Sequence, residues 1–306
     1  MRRFVTQCLL FTLMTVSVAV GLWYAVIGSQ LDKTLVLPAD KHILLIGNSH
    51  FRFGLNDSII TGAVNISTES DPVDVMYRKL VSIHSINPMV DTVVISVDNV
   101  SIYDTKPSYD DVHYHAEDLQ SWSLGDISFM LSRLQTEALY SQMMKSLRVS
   151  SAYVYYRRKS DANTSLSGIG EFEELTAGHL KEDINFLKKT GRAIPDKFEI
   201  TPFVRHYVDK IVSYCEQNDI TLIFMCTPQH RIAYYDDTYY RDLIVRCYPG
   251  VKYLDYYKYP MPDSCFRDLD HLNVKGARAF STRIEHTRFN DPEWEYPPVS
   301  YTHLTL

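Results

Sequence analysis

Cysteine is scarce in this chain: five residues in 306, none forming a CxxC pair. That is too few for a disulfide scaffold and lacks the spacing of a zinc or dithiol site. Neither a metal nor any other cofactor is expected. A basic surplus is also missing, since 31 Lys+Arg face 37 Asp+Glu for a formal charge of -6. A protein that grips phosphate backbones normally shows the opposite balance on at least one face, so nucleic acid is not an expected partner. Glycine and proline, 12 and 13 residues, show no collagen or low-complexity bias. Internal repeats of 20–50 residues are absent as well, which excludes a solenoid or propeller.

Long apolar runs are few, and one stands out. From Phe4 to Leu31 there is no charged residue, and residues 4–27 are almost wholly apolar. At 1.5 Å per residue such a helix matches a hydrocarbon core of about 30 Å, so the sequence predicts a membrane anchor within residues 1–31. Arg2 and Arg3 precede it, and the positive-inside bias then leaves the N-terminus cytoplasmic and the main domain extracytoplasmic, either periplasmic or extracellular. A cleaved signal peptide is the alternative, although its apolar core is usually about 7–15 residues. In an oxidising space Cys215, Cys226, Cys247 and Cys265 could form a bridge or remain buried thiols.

Beyond the anchor the pattern alternates. His42 to Ile46, Ala63 to Ile66, Val93 to Val97, Thr221 to Met225 and Val251 to Leu254 are strand-like runs. Helical spacing recurs at Val75 to Ile86, Phe203 to Cys215 and Asn273 to Ile284. Strands alternating with helices imply a parallel sheet. The expected fold is α/β, a three-layer αβα sandwich of about five mostly parallel strands over residues 40–287. A helical insertion at about 100–195, strongest at Ile127 to Leu147, would form either a lid over the sheet's carboxyl edge or a packing elaboration. Residues 288–306 read as an irregular tail.

Two short motifs carry chemistry. Gly47-Asn48-Ser49 closes the first strand, and Asp268-Leu269-Asp270-His271-Leu272-Asn273 opens the last helix. A serine hydroxyl needs an imidazole to take its proton, and the imidazole needs a carboxylate to hold its tautomer. Ser49, His271 and Asp268 supply the three groups. In a parallel sheet the first and last elements deliver residues to the same carboxyl edge. An aspartate three positions before the histidine can turn back onto Nδ1, which leaves Nε2 for Ser49. Asp270 is the rival orienter.

These motifs resemble the first and last conserved blocks of the SGNH/GDSL hydrolase superfamily, with Asp268-x-x-His271-Leu272-Asn273-x-x-Gly276-Ala277 a frequent form of the latter. The resemblance implies a flavodoxin-like α/β fold and acyl transfer through a seryl ester. Release is to water in esterases and to a hydroxyl in O-acetyltransferases. It further implies an acyl-ester substrate, most readily an acetylated cell-surface polysaccharide, and a multispanning membrane acyltransferase as partner. The middle blocks depart from the pattern. The oxyanion glycine after the second strand is missing from Asn65-Ile66-Ser67-Thr68-Glu69-Ser70-Asp71, and Ser96-Val97-Asp98-Asn99 stands for the Gly-x-Asn-Asp block. Oxyanion donors are therefore expected from Ser49, from the backbone near Ser67 or Thr68, and from the Asn99 amide. His230, at the end of a strand, is expected at the same edge as a substrate contact. The missing glycine supports a second reading, a catalytically inactive polysaccharide-binding or assembly subunit of the same fold.

Overall fold

A computed structural model describes residues 2–23, 25, 35–69, 71–97, 172–176, 178–190, 202–233 and 244–295. The chain divides into two compact units, residues 1–36 with 114–165, and residues 37–113 with 166–306. The described part of the first unit is mainly one helix, α1 (Arg2–Trp23). Its apolar side chains stand in the open, among them Phe4, Leu9, Phe11, Met14 and Leu22. Among the described residues no helix is long and apolar enough to cross a membrane, so the expected span over residues 4–27 is not supported. Helix α1, described from Arg2 to Trp23, carries Thr6, Gln7, Thr12, Thr15 and Ser17 among its apolar residues.

In the second unit the described elements come in the order β1 (Ile43–Ile46), α2 (Ser49–Gly54), β2 (Ala63–Asn65), α3 (Val73–Ile86) and β3 (Thr92–Ser96). Then come α4 (Leu180–Thr190), α5 (Pro202–Gln217), β4 (Thr221–Cys226), β5 (Lys252–Asp255) and α6 (Val274–Thr287). All strand pairs are parallel and the sheet order is β2-β1-β3-β4-β5. The order reverses beside β1, the place where open α/β sheets form their ligand crevice. Strand β1 is buried along its whole length, as a central strand covered on both faces must be.

Successive side chains of a strand point to opposite faces, and the two faces meet different helices. Ile43, Leu45, Val94, Ile223, Met225 and Leu254 share a core with Phe51 and Leu55 near α2 and with Phe280 and Ile284 of α6. The alternate residues Leu44, Ile46, Val93, Ile95 and Phe224 are equally buried. On that side α3 and α5 pack together, bringing Met76, Leu80, Tyr207 and Ile211. Helices thus cover both faces of the five-stranded sheet.

Most of the insertion at 100–195, Ile127 to Leu147 included, lies outside the described residues; residues 172–176 and 178–190, which include α4, are the parts described. The fold also continues past residue 287. The Asp255 N–H donates to the Trp294 carbonyl at 2.8 Å, and buried Asp291 accepts from the Tyr256 hydroxyl at 2.9 Å and from Arg283 Nε at 2.7 Å. Residues 288–295, which read as tail in the sequence, therefore close the core beside β5. No disulfide joins the five cysteines, and Cys215, Cys226 and Cys265 are buried.

Candidate active site

Gly47 follows β1 because nothing larger fits. A Cβ there would lie 2.6 Å from Ser96 Cβ and 2.8 Å from Phe51 Cγ. Asn48 then caps α2, its Oδ1 accepting from the His50 N–H at 2.9 Å. Ser49 becomes the first residue of the helix, where the N–H has no acceptor within the helix itself. The far end of α2 is held by Asn65 at the end of β2, whose Nδ2 donates to the Phe51 and Leu55 carbonyls at 2.9 and 2.8 Å. The candidate nucleophile thus sits on a six-residue helix fastened at both ends.

The second motif folds back on itself as its spacing requires. Asp268 Oδ1 accepts from the Asp270 and His271 N–H groups at 2.9 and 2.8 Å, closing a tight loop. Both carboxylate oxygens face His271 Nδ1, at 3.0 and 3.1 Å. Burial opposes charge on Asp268, but the hydrogen bond and charge of His271, with the two backbone N–H groups, outweigh it and hold the carboxyl below its ordinary value. Asp268 and not Asp270 is therefore the carboxylate against Nδ1. Below the loop, Asn273 caps α6 by accepting from the Lys275 and Gly276 N–H groups at 3.0 and 3.1 Å. Its Nδ2 reaches the Ser264 and Phe266 carbonyls. Gly276 is obligatory for the same packing, since a Cβ there would lie 2.1 Å from the Cys265 carbonyl oxygen.

The two motifs meet: His271 Nε2 lies 2.8 Å from Ser49 Oγ. With Nδ1 against the carboxylate, Nε2 faces the hydroxyl, the arrangement of a serine triad. The imidazole is also bracketed by rings from the nucleophile's own helix. His50 and Phe53 meet it edge-on, with centroids at 5.2 and 5.4 Å. The sequence motifs assign neither a part in the site, although Phe53 stands four positions after Ser49 and so shares its helix face.

The remaining expected residues fare differently. Ser67 is fully buried; its N–H donates to Asn65 Oδ1 at 3.0 Å and its hydroxyl lies 3.4 Å from the Leu45 carbonyl. The Thr68 N–H donates to the Gly47 carbonyl at 3.2 Å. Both loop amides expected at the oxyanion are thus engaged inside the protein, because the loop uses them to bind to β1 and β2. Asn99 lies outside the described residues. His230, expected as a substrate contact, is also fully buried. Its backbone N–H donates to the Leu269 carbonyl at 3.0 Å, Nδ1 accepts from the Ile232 N–H, and Nε2 faces Asp263 at 3.3 Å. It braces the loop that carries Asp268 and His271.

A cleft of about 370 Å³ opens beside the imidazole, lined by His271, Asp268, Leu269 and Asp270 and by Asp183, Phe186 and Leu187 of α4. The described part of the insertion therefore forms a wall of this cleft. Burial, then the charge of Asp268, raises the Asp183 carboxyl from its ordinary value. Among the described residues no group of three or more His, Cys, Asp or Glu is arranged to hold a metal ion.

No protein-family profile matches the chain, and no curated protein matches it. Among solved structures, one described as "a putative platelet activating factor from Streptococcus pneumonia" is similar over 90% of this chain and 99% of its own, at 9% identity and a TM-score of 0.42. At that distance the likeness does not speak for function.

Proposed function

We propose that this protein is a serine-dependent ester hydrolase or O-acyltransferase of SGNH type, acting on acyl esters, with acetyl esters of a carbohydrate as the substrate class. The observation that carries the reading is the 2.8 Å approach of His271 Nε2 to Ser49 Oγ, with Asp268 on the opposite ring nitrogen. In the first half-reaction Ser49 Oγ bonds to the ester carbonyl carbon while its proton passes to Nε2. The tetrahedral intermediate then expels the alcohol, which takes that proton, and an acyl-serine remains. In the second half, water or a sugar hydroxyl attacks the acyl-serine, again losing its proton to Nε2, and Ser49 leaves reprotonated. Asp268 stabilises the imidazolium in both halves. The Ser49 N–H is the oxyanion donor that the described residues offer, and each donor in such a site is worth about 2.7–4 kcal/mol of barrier.

The engaged amides of Ser67 and Thr68 favour a second reading, an SGNH fold that binds or assembles polysaccharide without turning it over. A fluorophosphonate and a chromogenic acetyl ester separate the two. Labelling and turnover by wild type, lost in Ser49→Ala, support the enzyme; inertness of wild type from about pH 6 to 9 supports the binding subunit.

We also propose that residues 4–27 associate with a membrane and that the second unit is extracytoplasmic, a reading supported by the apolar composition of that segment and the exposed side chains of α1. A multispanning acyltransferase would then be the acyl donor if the reaction is transfer. The full chain should float with membranes in a density gradient and a variant lacking residues 2–27 should not; failure of both to float would reject the association.

A further inference from the structure

Lys79 of α3 is fully buried, and no step proposed above uses it. Burying an ammonium is expensive unless each proton finds an acceptor, and Lys79 has three donors. All three land on one loop: Nζ donates to the Ile66 carbonyl at 2.9 Å, to Thr68 Oγ1 at 2.9 Å and to Asp71 Oδ2. Asp71 is itself fully buried, and Lys79 is the cation it pairs with. This is the loop that lacks the glycine of the resembling family.

The same loop is tied to the nucleophile from two sides. Ile66 N–H donates to the Leu45 carbonyl at 3.0 Å and Thr68 N–H to the Gly47 carbonyl at 3.2 Å, two residues before Ser49. Asn65, which begins the loop, holds the far end of α2 and accepts the Ser67 N–H. A shift of residues 66–71 would therefore be passed to both ends of the short segment bearing Ser49. An aliphatic side chain of similar volume would fill the space of Lys79 without a desolvation penalty, and buried ion pairs contribute little net stability. What the aliphatic residue could not do is fix where the loop lies.

We infer that Lys79 is a positioning residue for Ser49: its ammonium staples the loop after β2 in the register that holds the nucleophile's helix 2.8 Å from His271. This rests on the esterase reading and adds a determinant of rate outside the triad. The test compares full-length wild type, Lys79→Met, Lys79→Met with Asp71→Leu, and Thr68→Val, by fluorophosphonate labelling rate, kcat and KM on an acetyl ester, and thermal midpoint. Lys79→Met should lower the labelling rate and kcat by about 100-fold, the effect of a misplaced reacting group, with KM within about twofold. The double variant, which leaves no uncompensated buried charge, should recover the thermal midpoint but not the rate. Recovery of both together would reduce Lys79 to a stabilising residue and overturn the inference. If Lys79→Met fails to fold, Thr68→Val decides: losing one acceptor should slow labelling about three- to tenfold, and an unchanged rate overturns the inference. An inert wild type would reject the esterase reading and this inference together, whereas a reactive wild type with an equally reactive Lys79→Met rejects the inference alone.

Discussion

Adding a single methyl group at Gly276 should damage the candidate site without touching any of its three residues. The alanine Cβ would stand 2.1 Å from the Cys265 carbonyl oxygen, so the first turn of α6 and the 263–266 segment must separate by about 1 Å. The atom it meets is backbone, and a packed interior does not absorb such a shift at no cost. Three hydrogen bonds span the gap and would stretch: Asn273 N–H to the Cys265 carbonyl at 2.9 Å, and Asn273 Nδ2 to the Ser264 and Phe266 carbonyls at 3.0 and 3.1 Å. Overpacking of this kind costs about 1–3 kcal/mol, or about 2–12 °C in melting temperature for a unit of this size. The displaced segment continues into the triad loop through the Phe266–Leu272 bridge and the bond from Arg267 N–H to the His271 carbonyl. Ester turnover should therefore fall by about 100-fold, the penalty for moving a catalytic group by about 1 Å. Melting monitored by circular dichroism and an acetyl-ester assay read both effects. A variant that melts within about 1 °C of wild type and turns over at its rate would refute the packing argument.

The same geometry sets other outcomes. His271→Ala should abolish turnover while Asp268→Ala leaves a residue of it, because the orienter matters less than the base; equal turnover in wild type and His271→Ala would reject the triad. Since the folded protein holds the Asp268 carboxyl below its ordinary value, its contribution to stability is complete above about pH 4 and is lost as pH falls through the folded value. The stability gap between wild type and Asp268→Asn in urea should accordingly narrow from about pH 6 to about pH 3, and a gap that widens would contradict the assignment. Burial pushes the Cys215 thiol up to about 12, so iodoacetamide at neutral pH should leave it unmodified in the folded protein and alkylate it after unfolding. Rapid native labelling of Cys215 would show that the core between α5 and the sheet opens.

Much of the fold is legible in the sequence because parallel strands buried on both faces are written as short apolar runs. The stretch Val93 to Val97 reads as a strand and β3 occupies Thr92 to Ser96, a shift of one residue. The closing helix is equally plain, since Asn273 is a good cap and starts α6 where the apolar spacing begins. The Asp268–His271 pair can be read because it is local: an aspartate three positions before a histidine reaches Nδ1 within one loop. Contacts between distant segments leave no such trace. Nothing in Ser67 announces that its N–H belongs to Asn65, and the burial of His230 depends on the 263–269 segment closing over it. Residues 288–295 look like tail because their role is carried by single side chains, Asp291 and Trp294, with no periodicity. Nor does any local pattern around Lys79 show that three acceptors from a neighbouring loop hold its ammonium in the interior.

The most direct measurement is mass spectrometry of the protein after reaction with a fluorophosphonate. A single adduct on the peptide containing Ser49, formed by wild type and lost in both Ser49→Ala and His271→Ala, is what a hydroxyl activated by that imidazole requires. An unmodified wild type, or an adduct on another serine that survives His271→Ala, would contradict it.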